Sequence, residues 1–328
     1  MFVSLNKSIS EFINEIKKDK LAIAVSGGPD SVALAILCHK LNRGTLKDII
    51  ALHVDHKLRD SSTKESLNVK KIMENSGIKC EILTWEHNNI KTCIQEKARE
   101  ARYDLLLNYC EKNNISNIAF AHHKNDQAET FLMRLFKGSG IKGLCCMQKA
   151  RKAKYGDTEI NIHRPLINSK KDELINFLKI NEISFIEDPS NENEKFNRVR
   201  FRKFLQKNKD YICEDGIAKT IEKLNKSLSF EERAINSSIK KYQINSNFPI
   251  KISNDLIKNE DIHIQVITIQ KIISMNSKNK YMPNYDSCEK IINNLHLNRA
   301  STIQGLLVKK NKNYIYITKE NRKNNTAL

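Results

Sequence analysis

The chain has 328 residues, 40% of them hydrophobic, and 56 lysines and arginines against 38 acids leave it with a formal charge of +18. That length allows two domains with an ordinary core. The charge points to a polyanionic partner, with nucleic acid, an anionic membrane surface or solubility alone as the open accounts. No apolar run reaches spanning length, and residues 1–20 carry Glu11 and Glu15 without a long apolar stretch. A soluble, cytoplasmic protein with no signal peptide and no membrane partner is therefore expected. Eight scattered cysteines (Cys38, Cys80, Cys93, Cys110, Cys145, Cys146, Cys213 and Cys288) form no Cys-x-x-Cys. That pattern argues against structural zinc, an iron–sulfur cluster and a disulfide scaffold, and suits small core residues in a reducing compartment.

Residues 7–17 have the spacing of a short amphipathic helix. Leu21 to Val25 is an apolar, partly branched run that predicts a buried strand. It breaks into Ser26-Gly27-Gly28-Pro29-Asp30-Ser31, and Val32 to Leu37 resumes with helical character. A strand, a small-residue loop and a helix start aim free N–H groups and the positive end of a helix dipole at one spot, which suits a phosphate. Gly27 and Gly28 let backbone approach an anion, and Asp30 or Ser31 can cap the helix. A tight, well-capped turn is the plain alternative. The loop lacks the Lys-Ser/Thr ending of a Walker loop, which disfavours a kinase-like or GTPase-like site.

Strands are predicted at Ile49 to Val54, Lys79 to Leu83 and Asn117 to Ala121, and helices at Thr63 to Asn75, about Thr92 to Lys112, and Asp126 to Phe136. This alternation predicts an α/β fold, a parallel sheet with helices on both faces. In such sheets ligands sit at the carboxyl ends of strands. Three chemical stretches, 26–31, 53–59 and 122–129, fall at or just past a strand's carboxyl end. His53-Val54-Asp55-His56 could ligate a metal, cap a strand, or lie beside an adenine and ribose. In the long helix Ile94, Ala98, Ala101 and Leu105 predict the buried stripe, which leaves Arg99 and Arg102 on another face, solvated or reaching a phosphate. Asp126 and Glu129 have the look of an N-terminal capping box. That leaves His122 and His123 as candidates for acid–base or metal-binding work.

Gly138-Ser139-Gly140-Ile141-Lys142-Gly143 matches a dinucleotide fingerprint by letter, but a helix precedes it where a strand is required, so a flexible loop is expected. Arg151 to Glu159 reads as a mobile surface loop, Asp172 to Leu178 as a helix, and Glu187-Asp188-Pro189-Ser190-Asn191 as a polar turn. Residues 195–209 hold Lys195, Arg198, Arg200, Arg202, Lys203, Lys207 and Lys209 with no acid and with Phe196, Phe201 and Phe204 interleaved. A solvated helix face is the ordinary account, and RNA backbone contact the sharper one. From about Asp210 the alternation stops. Helices are expected at 214–242, 260–275 and 286–296, a hairpin at 300–318 and a frayed tail at 321–328. Two domains follow, 1–209 and 210–328, the second smaller, mostly helical and basic.

Seven stretches, in order, carry a resemblance over roughly residues 20–205: the loop 26–31; His53-Val54-Asp55-His56 with Leu58-Arg59; Ala98-Arg99 with Arg102-Tyr103; His122-His123 through Asp126-Gln127-Ala128-Glu129-Thr130; Gly138-Ser139-Gly140 with Gly143-Leu144; Arg164-Pro165-Leu166; and Glu187 to Asn191. Together they resemble the tRNA(Ile)-lysidine synthetase family of the pyrophosphate-loop ATP pyrophosphatases. Asn125 stands where many members have aspartate, and Val199 where asparagine is common. The resemblance implies ATP-dependent ligation of lysine to C2 of the wobble cytidine, position 34, of the CAU anticodon of tRNA(Ile). The route is an adenylated cytidine, with release of pyrophosphate and AMP, and the codon read changes from AUG to AUA. It implies ATP held by Ser26, Gly27, Gly28, Pro29, Asp30, Ser31 and His53; chemistry by Asp30, Arg102, His122 and Asp126; Mg2+ on Asp30 and Asp126; and tRNA contact by Arg198, Arg200, Arg202 and Lys203 and by the helical domain. Partners are then tRNA(Ile) and free L-lysine, with a homodimer left open. The rivals are a tRNA thiolase of the same superfamily, disfavoured because Cys145 and Cys146 are adjacent, and a non-catalytic ATP-binding module.

Overall fold

A computed structural model describes residues 2–59, 61–87, 92–186, 197–277, 279 and 282–320. The expected turn at 187–191, Lys195 and Phe196, and the tail at 321–328 lie outside the described residues. The chain divides into two compact units, 1–224 and 225–328.

The first unit runs α1 (Val3–Glu15), β1 (Lys20–Ala24), α2 (Pro29–Leu41), β2 (Asp48–Asp55), α3 (Ser62–Asn75), β3 (Lys79–Thr84), α4 (Ile94–Lys112) and β4 (Asn117–Ala119). There follow α5 (Lys124–Leu135), α6 (Ile141–Leu144), β5 (Ala150–Tyr155), β6 (Thr158–His163), α7 (Lys171–Ile180) and α8 (Asn197–Lys207). The strands form one sheet in the order β3-β2-β1-β4-β6-β5. All neighbours are parallel except the edge pair β5–β6.

β1 lies in the middle and alternates. Leu21, Ile23 and Val25 join a core with Leu5, Ile9 and Phe12 of α1, Val32 and Leu34 of α2, Val69 and Met73 of α3, and Leu174 and Phe177 of α7. Ala22 turns to the other face, where Leu106, Leu107 and Cys110 of α4 cover Leu52, Ile118 and Ile162. The period of two in the strand thus splits the core into two layers, with helices on both faces.

Three local expectations change. Residues 151–159 are a hairpin, not a loop. Gly156 takes the turn at φ +54°; Ile160 and Ile162 are buried while Arg151, Lys152 and Lys154 stay exposed on the edge strand. Charge on an edge strand deters pairing with another chain, and it hid the strand from a hydrophobicity reading. Helix α2 begins at Pro29 with Gly28 as its N-cap and no side-chain cap, so neither Asp30 nor Ser31 caps it; proline needs no N–H at that first position. In α4 the stripe is rotated. Ile94 is exposed and Leu106, Leu107 and Cys110 are buried.

Helix α9 (Glu214–Tyr242) crosses the division between the units. The second unit adds β7 (Ile250–Ser253), α10 (Asp255–Asn259), α11 (Ile262–Asn276), α12 (Tyr285–His296), β8 (Ser301–Ile303), β9 (Leu306–Lys310) and β10 (Tyr314–Lys319). The expected hairpin belongs to a four-stranded antiparallel sheet, β7-β10-β9-β8. Ile250, Ile252, Val308, Ile315 and Ile317 pack from it against Val266, Ile269, Ile273, Ile291 and Leu295.

Candidate active site

From β1 the chain winds outward through β2 to β3, then returns to place β4 on the other side of β1. The carboxyl ends of β1 and β4 therefore flank a topological switch point, where open α/β sheets leave a crevice. The 26–31 loop leaves β1 there, and His122-His123 leaves β4.

The loop is held from within. Ser31 Oγ donates to the Gly28 carbonyl (3.0 Å) and receives the Ser26 N–H (3.1 Å). Gly27 sits at φ +91°, and a Cβ there would lie 2.6 Å from Val69 Cγ2. Its carbonyl receives the Ile186 N–H at 2.9 Å. This position accepts only glycine on both backbone and packing grounds. His53 lies beneath the loop. Its Nδ1 donates to the Val25 carbonyl (2.8 Å), and Nε2 lies 3.0 Å from Ser66 Oγ, whose proton it shares with the Ser62 carbonyl at 2.9 Å. Burial, the largest influence, holds its pKa below the ordinary histidine value, so the ring is neutral and both nitrogens are occupied. Asp55 accepts from Ser62, Thr63 and the Lys57 N–H. Burial opposes its ionisation, but these donors prevail and lower its pKa.

Helix α5 begins with a capping box, formed by His123 and Asp126 and not by Asp126 and Glu129. His123 Nδ1 accepts the Asp126 N–H, and Asp126 Oδ2 accepts the His123 N–H at 2.9 Å. The buried His123 ring also brings Nε2 within 3.4 Å of Asp30 Oδ2 and 3.5 Å of Asp126 Oδ2. Burial opposes its protonation, yet the hydrogen bond to Asp30 and the charges of Asp126 and Asp30 raise its pKa. His123 thus ties the loop's helix to the β4 helix. Its signal in the sequence was its place just before a helix with an acid three residues on.

Glu129 is buried and receives Arg198 Nε (2.6 Å) and Arg202 Nε (2.7 Å), while Arg198 Nη2 reaches Asp126 Oδ1 at 2.6 Å. Two of the cations in the basic run therefore have counter-charges, supplied by α5. Burial works against the Asp126 charge, but His123 and Arg198 hold its pKa below the usual carboxylate range. Arg200 and Lys203 face outward on α8.

Arg102 and Arg164 are different. Both are largely buried, each has a buried Nε with no hydrogen-bond partner, and neither makes an ion pair with a described residue. Burial lowers the pKa of both. Arg102 packs over Tyr103, which stacks on Phe120 at 5.2 Å, and Phe120 on His122 at 6.0 Å. His122 is pushed down to about 3: burial dominates, Asp126 pulls the other way, and the Arg164, Arg198 and Arg102 charges add to the fall. It is a neutral imidazole whose Nδ1 is buried and unpartnered. Asp30 Oδ1 and His56 Nδ1 are unpartnered too, and His56 falls to about 4, through burial and then the charge of Arg102. Buried guanidiniums without carboxylates, near neutral imidazoles, have the chemistry that suits an anion.

So Asp30, His122, Asp126 and the loop gather at one end of the sheet, with Arg102 acting on His122 from α4. Arg164 and His123 belong to the same neighbourhood and carried less signal. Among the described residues no group of three histidines, cysteines or acids is placed to hold a metal. Asp30 Oδ1 fits a cation ligand, whereas both Asp126 oxygens are engaged. Asn125 donates to Glu214 Oε1 (2.7 Å) and accepts the Lys171 N–H (3.2 Å), a pair of roles aspartate could not fill. Val199 is buried. Cys145 is buried, and burial lifts the Cys146 thiol to about 11. No described helix is long and apolar enough to cross a membrane.

Residues 1–209 match the PP-loop domain family. The chain is similar to the tRNA(Ile)-lysidine synthase of Wolbachia pipientis wMel, 34% identical over 312 residues that cover 92% of this chain and 71% of that protein. With the same enzyme of Rickettsia bellii it is 31% identical over 334 residues, 98% of this chain and 74% of that one. Among solved structures it resembles a U34-tRNA thiolase from Methanococcus maripaludis, with a TM-score of 0.57 and 17% identity over 67% of this chain and 77% of that one. At that identity the likeness concerns the fold alone.

Proposed function

The chain belongs to the tRNA(Ile)-lysidine synthase family of PP-loop proteins, and on that footing we propose that it converts the wobble cytidine of the CAU anticodon of tRNA(Ile) to lysidine. The observation that carries the reading is the pair of buried, acid-free guanidiniums, Arg102 and Arg164, whose charges both bear on His122. Their cost is relieved when a polyphosphate enters.

The C2 oxygen of cytidine 34 attacks the α-phosphate, the bond to the β-phosphate oxygen breaks, and pyrophosphate leaves into the loop at residues 27–28. The lysine ε-amine then attacks C2, the C–O bond to AMP breaks, and the amine proton is lost. Arg102 meets the charge that grows on the α-phosphate. His122, neutral, supplies a hydrogen bond without adding charge. Asp30, whose Oδ1 is unpartnered, draws the lysine ammonium and leads its proton away, and Asp126 joins it once Arg198 lets go. His53 sets the start of the loop. Magnesium on Asp30 would offset triphosphate charge; Asp126 joins only if Arg198 lets go. The basic stretch from 210 to 328 provides further tRNA contact, supported by Tyr316, which lies in register between Lys251 and Lys309 on one sheet.

The test is unmodified tRNA(Ile) with a CAU anticodon, ATP and labelled lysine. Lysine-dependent label in RNA with AMP formed supports the reading, and AMP without label removes it. Loss of labelling in Asp126→Asn is expected while ATP binding persists.

A further inference from the structure

Helix α5 carries Asp126 in its first turn and is followed at once by Phe136, whose ring is 69% exposed. Helix α8 carries Arg198 against Asp126 and, further along, Phe204, 41% exposed. The rings meet around half-buried Phe201: Phe136 lies 5.7 Å from Phe201 and 6.4 Å from Phe204 between centroids. With Asn197 and Arg200 they line an open cleft of about 380 Å³. One exposed phenylalanine needs no explanation. Two beside a third, at the mouth of a cleft with an arginine in its wall, form a patch that does.

We infer that this cleft seats a nucleobase of the anticodon loop, stacked on Phe136 and Phe204, with Arg200 on the adjoining phosphate. The inference rests on the function proposed above and names a subsite of the RNA. The surroundings favour RNA over a protein. Lys137, Lys203 and Lys207 are exposed beside the rings, and α8 contains no acid, whereas the centre of a protein interface is depleted of charge. Planar rings edged with cations suit a single-stranded base, every one of which has a π-face. The place suits it as well. Phe136 follows Asp126 by ten residue steps, about 15 Å along the axis, within reach of a nucleotide close to the reacting cytidine. A cytidine drawn into the crevice leaves its neighbours unstacked, and these rings replace the lost stacking.

The test uses the full chain and unmodified tRNA(Ile) with a CAU anticodon. Phe136→Ala and Phe204→Ala, singly and together, with Phe136→Leu and Phe204→Leu as apolar controls, are compared for tRNA affinity, KM for tRNA and KM for ATP. The double alanine variant is expected to weaken tRNA binding about five- to a hundredfold, with KM for ATP unchanged and the leucine variants falling in between. 2-Aminopurine next to position 34 should be quenched by the wild type and not by the double variant. tRNA affinity within twofold of wild type in a folded double variant overturns the inference. So does a drop in oligomer mass with affinity intact, which would make the face a contact between copies. Wild type that binds the tRNA without joining lysine to it would refute the proposed function and leave the stacking cleft still decided by the binding and quenching data.

Discussion

Gly27→Ala tests the loop most directly. The methyl would sit 2.6 Å from Val69 Cγ2, on a backbone at φ +91°. The backbone strain costs about 1–3 kcal/mol, and the overlap, against a buried side chain that cannot swing away, another ~1–3 kcal/mol. A total of roughly 2–6 kcal/mol is a large share of a domain's stability. The single tryptophan, Trp85, directly follows β3 in the first unit, so its fluorescence during urea unfolding reports on this unit. Val69→Ala alone should cost about 2 kcal/mol by lost burial. In that background Gly27→Ala should cost only the backbone part, a coupling of ~1–3 kcal/mol. KM for ATP should rise in both alanine-27 variants, because the carbonyl at 27 holds Ile186 and a shifted backbone there reshapes the loop proposed to hold the triphosphate. Strict additivity, or an unchanged KM for ATP, would refute the reasoning.

Arg102→Met should leave the ligand-free protein as stable as wild type or more so, because a buried guanidinium without a carboxylate is replaced by an apolar chain. Lysidine formation should fall by about 10²–10³-fold, and the thermal shift on adding ATP should shrink; a less stable ligand-free variant contradicts the reading. Glu129→Gln should destabilise by ~1–3 kcal/mol, below the full cost of breaking a buried pair because Arg198 and Arg202 retain some solvent; urea unfolding measures it. For His53 the folded pKa lies below 6.5. As pH falls through 6.5 the unfolded chain takes up a proton that the folded one refuses, so stability is lost, with a limiting slope of about 1.4 kcal/mol per pH unit. The stability gap between wild type and His53→Gln should therefore narrow between pH 7.5 and pH 5; a constant gap would rule out the neutral clamp.

The sheet was legible because its strands are short apolar runs closed by glycine, proline or histidine, and because three chemical stretches sat at strand ends. Residues that break their own local pattern were not legible. Arg102 lies on the inward face of α4 because Tyr103, Leu106 and Cys110 face the sheet there, while Ile94, Ala98 and Ala101, which looked like the stripe, belong to turns where most residues are exposed. The hairpin at β5 and β6 was masked by its edge charges. His123 was overshadowed by His122, since the sequence cannot tell which of two adjacent histidines points along the helix axis toward Asp30. Strand β7 is four residues long, and the strand it pairs with, β10, lies more than sixty positions away, a partnership no local window contains.

The charge of the chain is divided by geometry more than by number. Arg198 and Arg202 belong to a run that reads as uniformly basic, but α5 turns Glu129 and Asp126 toward them and fixes α8 in place. Arg200 and Lys207 on the same helix are exposed. A helix turn puts residues 198 and 202 on one side and 200 on another, so one segment can brace α5 and, under the proposed function, offer a cation to RNA. Arg102 and Arg164 make a third class, kept from water and from acids. On the proposed function, their electrostatic cost in the ligand-free protein becomes attraction for a triphosphate, because low-dielectric surroundings strengthen both effects alike. An excess of lysine and arginine therefore separates into paired, exposed and buried cations only after the fold has decided which of them can meet a carboxylate.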